Sequence, residues 1–222
     1  SYTSFGSTVL LFKNVGSVTI TATFGSTTLS ADIISGVAFD DDNLRNIIIA
    51  SSAGIDTDGD KVISWDESRA ATTISATNRE IASTTGISEF VNLTSLNLSG
   101  NSLTGTADFS SNPKLTNLNL SSNGYSSINL SGNTKLTDLN VSGNNLTTLD
   151  LSKLTSLARL YCSGNHLLTL DLKANTALLT AYVGNQWDSN GDASYITVDR
   201  GSLAESVFPG LNEASSGNSR VK

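Results

Sequence analysis

The sequence predicts a mostly β solenoid of about six stacked coils, and three observations predict it. First, Leu93-Thr-Ser-Leu96-Asn-Leu98-Ser-Gly-Asn101-Ser-Leu103 sets a pattern, L-x-x-L-x-L-x-x-N-x-L, that recurs along the chain. Second, the copies begin at 71, 93, 115, 136, 157 and 178, spaced 22, 22, 21, 21 and 21 residues apart. Third, charged residues are only 15% of the chain while 38% are hydrophobic, a balance for a packed core rather than for disorder.

The copies carry Leu115, Leu118, Leu120 and Asn123, then Leu136, Leu139, Val141, Asn144 and Leu146, then Leu157, Leu160, Cys162, Asn165 and Leu167. Leu178, Ala181, Val183 and Gln186 form a weaker copy, and Ala71, Ile74, Ala76 and Ile81 a degenerate first one. This is the leucine-rich repeat pattern. The x-L-x-L-x core is a short strand of period 2, so Leu96 and Leu98 turn inward and their neighbours outward. A single coil cannot bury its own leucines; stacking joins them into one core. Each Asn sits where the chain turns off the strand, and its amide is expected to satisfy the backbone groups there, as a ladder of Asn101, Asn123, Asn144 and Asn165. A second alternating pair per coil (Ile128 and Leu130, Leu149 and Leu151, Leu170 and Leu172) predicts extended chain rather than helix on the opposite side.

Ahead of the repeats stands Asp56-Thr-Asp58-Gly-Asp60-Lys-Val62-Ile63-Ser64-Trp-Asp-Glu67. Counting from Asp56, carboxylates fall at positions 1, 3, 5 and 12 and an apolar residue at 8, the oxygen-ligand spacing of an EF-hand calcium loop. Asp56, Asp58, Asp60, the Val62 carbonyl and Glu67 are the candidate Ca2+ ligands, with Ser64 offering a water or hydroxyl. Asp41 or Asp42 is placed to cap a preceding helix with Leu44, Ile47 and Ile48 on its apolar face, and Trp65 begins a following one. Lys61 departs from the pattern: it occupies position 6, where a left-handed turn favours Gly at a cost to other residues of about 1 kcal/mol. The nine acids within residues 32–67, against Arg45 and Lys61, account for the whole net charge of −7. A divalent cation would relieve that concentration of charge. A similar stretch, Asp188 to Asp199, is either an inserted calcium loop or an ordinary Asn-Gly turn, the turn being the simpler reading.

The pI near 4.5 leaves no basic footprint for nucleic acid, and no apolar run approaches the length of a membrane span. One cysteine and one histidine exclude an internal disulfide and multi-His metal sites. Cys162 takes the slot of Leu98, Leu120 and Val141, so it is expected to be a small core residue rather than a reactive thiol; His166, just past the strand, is not its partner. Ser17 to Phe24 and Thr27 to Ile34 predict a β-hairpin similar to the last strands of an Ig-like domain. The expected organisation is a partial Ig-like segment over 1–36, an EF-hand-like helical cap over 37–70, repeats over 71–187, a C-terminal cap over 188–210 and a flexible tail over 211–222.

The order of parts, from Phe39-Asp-Asp-Asp-Asn43-Leu-Arg through the Asp56–Glu67 loop and Gly86-Ile87 to the Asn-Leu-Thr-Ser-Leu repeats, resembles bacterial cell-surface leucine-rich repeat proteins. Those are found notably in Bacteroidetes and are distantly similar to internalins. The resemblance covers roughly residues 39–187. It implies export, with no leader segment at Ser1, surface attachment and recognition of a protein or glycan. It implies no catalytic activity.

Outward strand positions align in columns. The first is Thr73, Ser95, Asn117, Asp138, Arg159 and Thr180; the second is Ser75, Asn97, Asn119, Asn140, Tyr161 and Tyr182. Most are small and polar. Tyr161 and Tyr182, flanked by Arg159, Asp138 and Trp187, are the residue types that interfaces and sugar platforms use, and they form the candidate binding patch. The expected function is a non-enzymatic, calcium-stabilised recognition or adhesion module at the cell surface, the alternative a structural spacer within a larger surface protein. No His, Lys or Ser stands in an activating constellation, so no enzyme is expected.

Overall fold

Six short strands, one per coil, make the spine of the molecule. In the computed structural model, which describes residues 17–24, 27–34, 36–51, 53–187, 193–194, 196–199, 201–207 and 219–221, the chain opens with β1 (Ser17–Phe24), β2 (Thr27–Ile34), α1 (Asp42–Ile49) and α2 (Trp65–Ala70). The coils follow as β3 (Thr73–Ser75), β4 (Ser95–Asn97), β5 (Thr104–Asp108), β6 (Asn117–Asn119), β7 (Gly124–Asn129), β8 (Asp138–Asn140), β9 (Arg159–Tyr161), β10 (Thr169–Asp171) and β11 (Thr180–Tyr182). The chain ends with β12 (Gln186–Trp187), β13 (Ala193–Ser194), β14 (Ile196–Asp199) and β15 (Ser219–Val221).

Strands β3, β4, β6, β8, β9 and β11 pair in that order as one parallel sheet without a register shift, so six strands bound about five turns. Register puts Ile74, Leu96, Leu118, Leu139, Leu160 and Ala181 in one row, each at most 2% exposed. Leu98, Leu120, Val141, Cys162 and Val183 form the adjoining buried row. Burying each leucine stabilises the coil by about 2 kcal/mol relative to exposure, and only stacking achieves that burial.

The asparagine ladder forms as expected. Asn144 Nδ2 donates to Leu120 O of the preceding coil and Val141 O of its own, both at 3.0 Å, and its Oδ1 accepts from Tyr125 N–H at 3.1 Å. Asn101, Asn123 and Asn165 repeat the two donations. Gln186 completes the ladder in the weak last copy, donating to Cys162 O and Val183 O and accepting from Leu167 N–H. A second, unforeseen ladder runs along another corner. Asn112, Asn133 and Asn175 each donate to two carbonyls, those of Ile87 and Phe90, Phe109 and Asn112, and Leu151 and Leu154. Its signal was present as an Asn three residues before Leu115, Leu136 and Leu178. Leu154 fills that slot in the fourth coil.

On the opposite side β5 pairs with β7, β10 with β14, and β14 with β15, all parallel. Ile128, Leu130, Leu151, Leu170 and Leu172 are buried there, with Leu149 partly so. Residues 219–221, expected within a flexible tail, form β15 because β14 offers it an open parallel edge. At the last coil Leu203 and Val207 are buried, and the helical turn Glu205–Val207 packs on β11.

β1 and β2 pair antiparallel from Ser17↔Ile34 to Phe24↔Thr27, the turn between them lying outside the described residues. Asp41 caps α1, accepting from Leu44 N–H at 2.9 Å, and its second oxygen accepts from Ala82 N–H at 2.7 Å, tying the helix to the first coil. Leu44, Ile48, Ile55 and Ile63 join the same core as the repeats.

The two ladders differ in one testable way. The Oδ1 atoms of Asn112, Asn133 and Asn175 are buried without a hydrogen-bond partner, whereas that of Asn144 is used. Asn144→Leu leaves the buried Tyr125 N–H unpaired and takes one of two donors from Leu120 O and Val141 O, which keep Asn123 and Asn165, and is expected to cost on the order of 2 kcal/mol in urea denaturation. Asn133→Leu, the residue the chain itself carries at 154, also relieves an orphaned acceptor and is expected to cost less than half as much.

Candidate functional site

The acidic loop between the two helices is organised by its own backbone. Gly59 N–H and Lys61 N–H donate to the two oxygens of Asp56 at 2.8 and 3.2 Å, Asp60 N–H to Asp58 at 3.1 Å, and Val62 N–H to Asp60 at 2.8 Å. These bonds hold oxygens of Asp56, Asp58 and Asp60 within 4.8 Å of one another at the surface. Gly59 and Lys61 both take left-handed φ, +76° and +66°. Lys61 therefore makes the turn that Gly usually makes at position 6. A donor set of three carboxylates fits a hard divalent cation by its chemistry.

Glu67 does not stand with the three aspartates. It is buried, and its Oε1 accepts from Thr57 N–H and Oγ1 at 2.6 and 2.8 Å. Oε2 accepts from Ser64 N–H and Oγ, each at 2.9 Å. Ser64 Oγ in turn accepts from Glu67 N–H at 3.3 Å, so the pair is the capping box of α2. Burial by itself would raise the Glu67 pKa, but the Ser64 and Thr57 amides and hydroxyls outweigh it and lower it from 4.5 to about 2. The sequence carried this second role as Ser-x-x-Glu, overlapping the loop pattern.

On the strand face, register brings four of the expected residues together. Tyr161 and Tyr182 pair across β9 and β11, rings 5.1 Å apart and 9° from parallel. Arg159, on β9 with Tyr161, forms an ion pair through Nε with Asp138 of the next strand, β8. Trp187 lies elsewhere, beyond the Gln186 corner: its N–H donates to Asn165 O at 2.8 Å, its carbonyl lies 2.9 Å from His166 Nδ1, and its side chain is half-exposed. Away from the tyrosines the face is tied to itself. Asn97 and Asn119 each accept from the N–H and Oγ of the serine two residues on, and Asn140 accepts from Ser142 N–H.

Cys162 is fully buried, and burial pushes its thiol up to about 12, as fits a core residue. The stretch from Asp188 to Asp192 lies outside the described residues. Among the described residues, no helix is long and apolar enough to cross a membrane.

A family model described as the endo-β-N-acetylglucosaminidase EndoS LRR domain matches residues 39–165. No curated protein is significantly similar to the chain. Among solved structures, the functional domain of InlJ from Listeria monocytogenes, which includes a cysteine ladder, is 28% identical, with a TM-score of 0.57 over 72% of this chain and 36% of that one. The internalin InlF of the same organism is 20% identical, with a TM-score of 0.51 over 83% and 64%. The chain thus spans about a third of the first and less than two thirds of the second. Where InlJ includes a cysteine ladder, this chain with its single cysteine has amide ladders.

The Glu67 bonds set a pH dependence. A carboxylate whose folded pKa lies below its unfolded value stabilises the fold above about pH 4.5, and that contribution is lost as pH falls toward 2. Glu67→Gln is expected to be less stable than the parent at pH 6, with the gap in melting temperature closing between pH 4.5 and 2.

Proposed function

The chain belongs to the family of EndoS-type leucine-rich repeat domains, matched over residues 39–165, and on that premise we propose that it is a non-enzymatic recognition module of a bacterial cell surface. The observation that carries the reading is the stacked Tyr161–Tyr182 pair at one end of an otherwise small, self-bonded polar face. Two neighbouring aromatic rings with hydroxyls, beside the Arg159–Asp138 ion pair, suit a protein side chain or the face of a sugar ring. Leucine-rich internalins are the similar folds, and the rest of this strand face offers little that could anchor a ligand. The non-enzymatic reading draws on two of the described residues: Cys162 is sealed in the core, and His166 Nδ1 lies 2.9 Å from the Trp187 carbonyl.

The self-bonded Asn and Ser columns favour a second reading, a spacer within a larger surface protein. Binding decides between them. Arrays of matrix proteins and glycans, probed with calcium and with chelator, are expected to give a signal that Tyr161→Ala/Tyr182→Ala lowers at least tenfold. Silence on both arrays, or a signal indifferent to the tyrosines, returns the face to a spacer.

Ca2+ is the cation proposed for the Asp56, Asp58 and Asp60 loop, with the Val62 carbonyl and Glu67 as the further ligands that EF-hand spacing assigns. Glu67 joins only by giving up its bonds to Thr57 and Ser64, so binding is expected to be weak, on the order of 0.1–1 mM. The ion's role is to brace the helical cap against the first coil. At a dissociation constant of about 1 mM, 10 mM Ca2+ adds about 1.4 kcal/mol, or a few degrees in melting temperature. Asp58→Asn/Asp60→Asn retains acceptors for the loop amides and is expected to abolish the calcium shift without lowering the calcium-free melting temperature by more than a degree or two.

A further inference from the structure

We propose that the open edge of β3 is a docking site for an extended peptide, which adds as a strand beside Thr73 and Ser75 and presents a carboxylate to Arg79. This site is distinct from the tyrosine pair, whose strands β9 and β11 lie four and five spacings of about 4.8 Å, roughly 19 and 24 Å, along the sheet.

The inference starts from hydrogen-bond direction. Thr72 O accepts from Ser95 N–H at 3.2 Å and Ala76 N–H donates to Asn97 O at 2.8 Å, so these residues face β4. The two-residue alternation of a parallel ladder then turns the N–H and C=O of Thr73 and Ser75 away from β4. Among the described residues nothing bonds those four groups. At the other end of the sheet the helical turn Glu205–Val207 packs on β11. At this end, among the described residues, no element is hydrogen-bonded to the strand edge.

Instead a groove of about 530 Å3 runs between β3 and α1, a size that suits a short stretch of ligand. One wall is the strand edge. The other is a single stripe of α1 and its end, Asn43, Asn46, Ile47 and Ala50, set apart from Leu44 and Ile48, which are buried in the core. Arg79 also lines it, and among the described residues it forms no ion pair. Two pairs of outward backbone groups in strand register need a partner that alternates N–H and C=O at the same spacing, which an extended peptide does and a glycan does not. The carboxamides of Asn43 and Asn46 supply bonds from the helix side, and the unpaired guanidinium selects an acidic residue.

The test uses the whole 15N-labelled chain and a blocked hexapeptide, acetyl-Thr-Val-Thr-Val-Thr-Asp-amide. The expected result is concentration-dependent movement of the Thr73 and Ser75 amide resonances and at least tenfold slower hydrogen exchange at both. N-methylation of alternate peptide residues is expected to weaken binding at least tenfold in one of the two registers and not in the other. Asp→Asn in the peptide and Arg79→Gln in the protein are each expected to weaken it severalfold, with no further loss when combined. Ser75→Pro removes an outward N–H while sparing the ladder to β4, so it is expected to fold and to lose the peptide. Tyr161→Ala/Tyr182→Ala is expected to bind the peptide unchanged, which separates this site from the one proposed above. No change at Thr73 and Ser75 with millimolar peptide overturns the proposal. So does equal binding of every N-methylated peptide, or movement of the same amides by chitohexaose where the peptide moves none.

Discussion

Everything in this molecule depends on one carboxamide per coil bonding two coils at once. Where the chain leaves a strand and turns, its carbonyls lose their sheet partners, and burial makes that loss costly. An asparagine at the corner reaches the carbonyl of its own strand end and the matching carbonyl one coil earlier, as Asn144 does with Val141 and Leu120. That double reach allows one rise between coils and one register. The leucine rows align because the corners do, and Gln186 keeps the corner where the leucine pattern has decayed to Ala181 and Val183.

A corner that satisfies its own backbone leaves the outward strand positions free of structural duty. Over most of the sheet the chain fills them with small polar residues, among them Asn97, Asn119 and Asn140, whose carboxamide oxygens accept from the serine two residues on. The substitution of Tyr for Asn in the same column, at 161 and 182, replaces those closed pairs with exposed aromatic area. Asp138 and Arg159 neutralise each other beside it. The patch is therefore aromatic and polar rather than cationic, which matches a chain whose net negative charge lies in its N-terminal cap.

The cap is where one stretch of sequence serves two ends. Glu67 terminates the acidic loop by EF-hand counting and starts α2 by capping-box counting, and the structure shows the second use. Its buried, fourfold-bonded carboxylate holds the loop and the helix together, while Asp41 and Asp40 bond Ala82 and Thr85 in the first coil. Among the described residues the cap is tied to the first coil at these two points, and a groove lies between α1 and β3.

The repeat and the hairpin pairing were legible in the sequence, because periods of 2 and of 21–22 residues are one-dimensional signals of packing. So were the helix caps and the left-handed turn at Lys61, because their partners lie within a few residues. The asparagine corner was legible as a recurring position, though its bonds to the preceding coil were not. The second ladder at Asn112, Asn133 and Asn175 is harder to read from the sequence because Leu154 breaks its period. Three matters belonged to the tertiary structure. Stacking brought Tyr161 and Tyr182 into ring contact and paired Arg159 with Asp138, residues 21 apart, while the Gln186 corner carried Trp187 off the strand face. Hydrogen bonds from Thr57 and Ser64 drew Glu67 away from the aspartates. The groove along β3 is formed where one stripe of α1 faces the strand edge, a juxtaposition of residues well separated in sequence. Spacing along a chain determines which residues share a face; the separation between elements is set by the packing of all their side chains together.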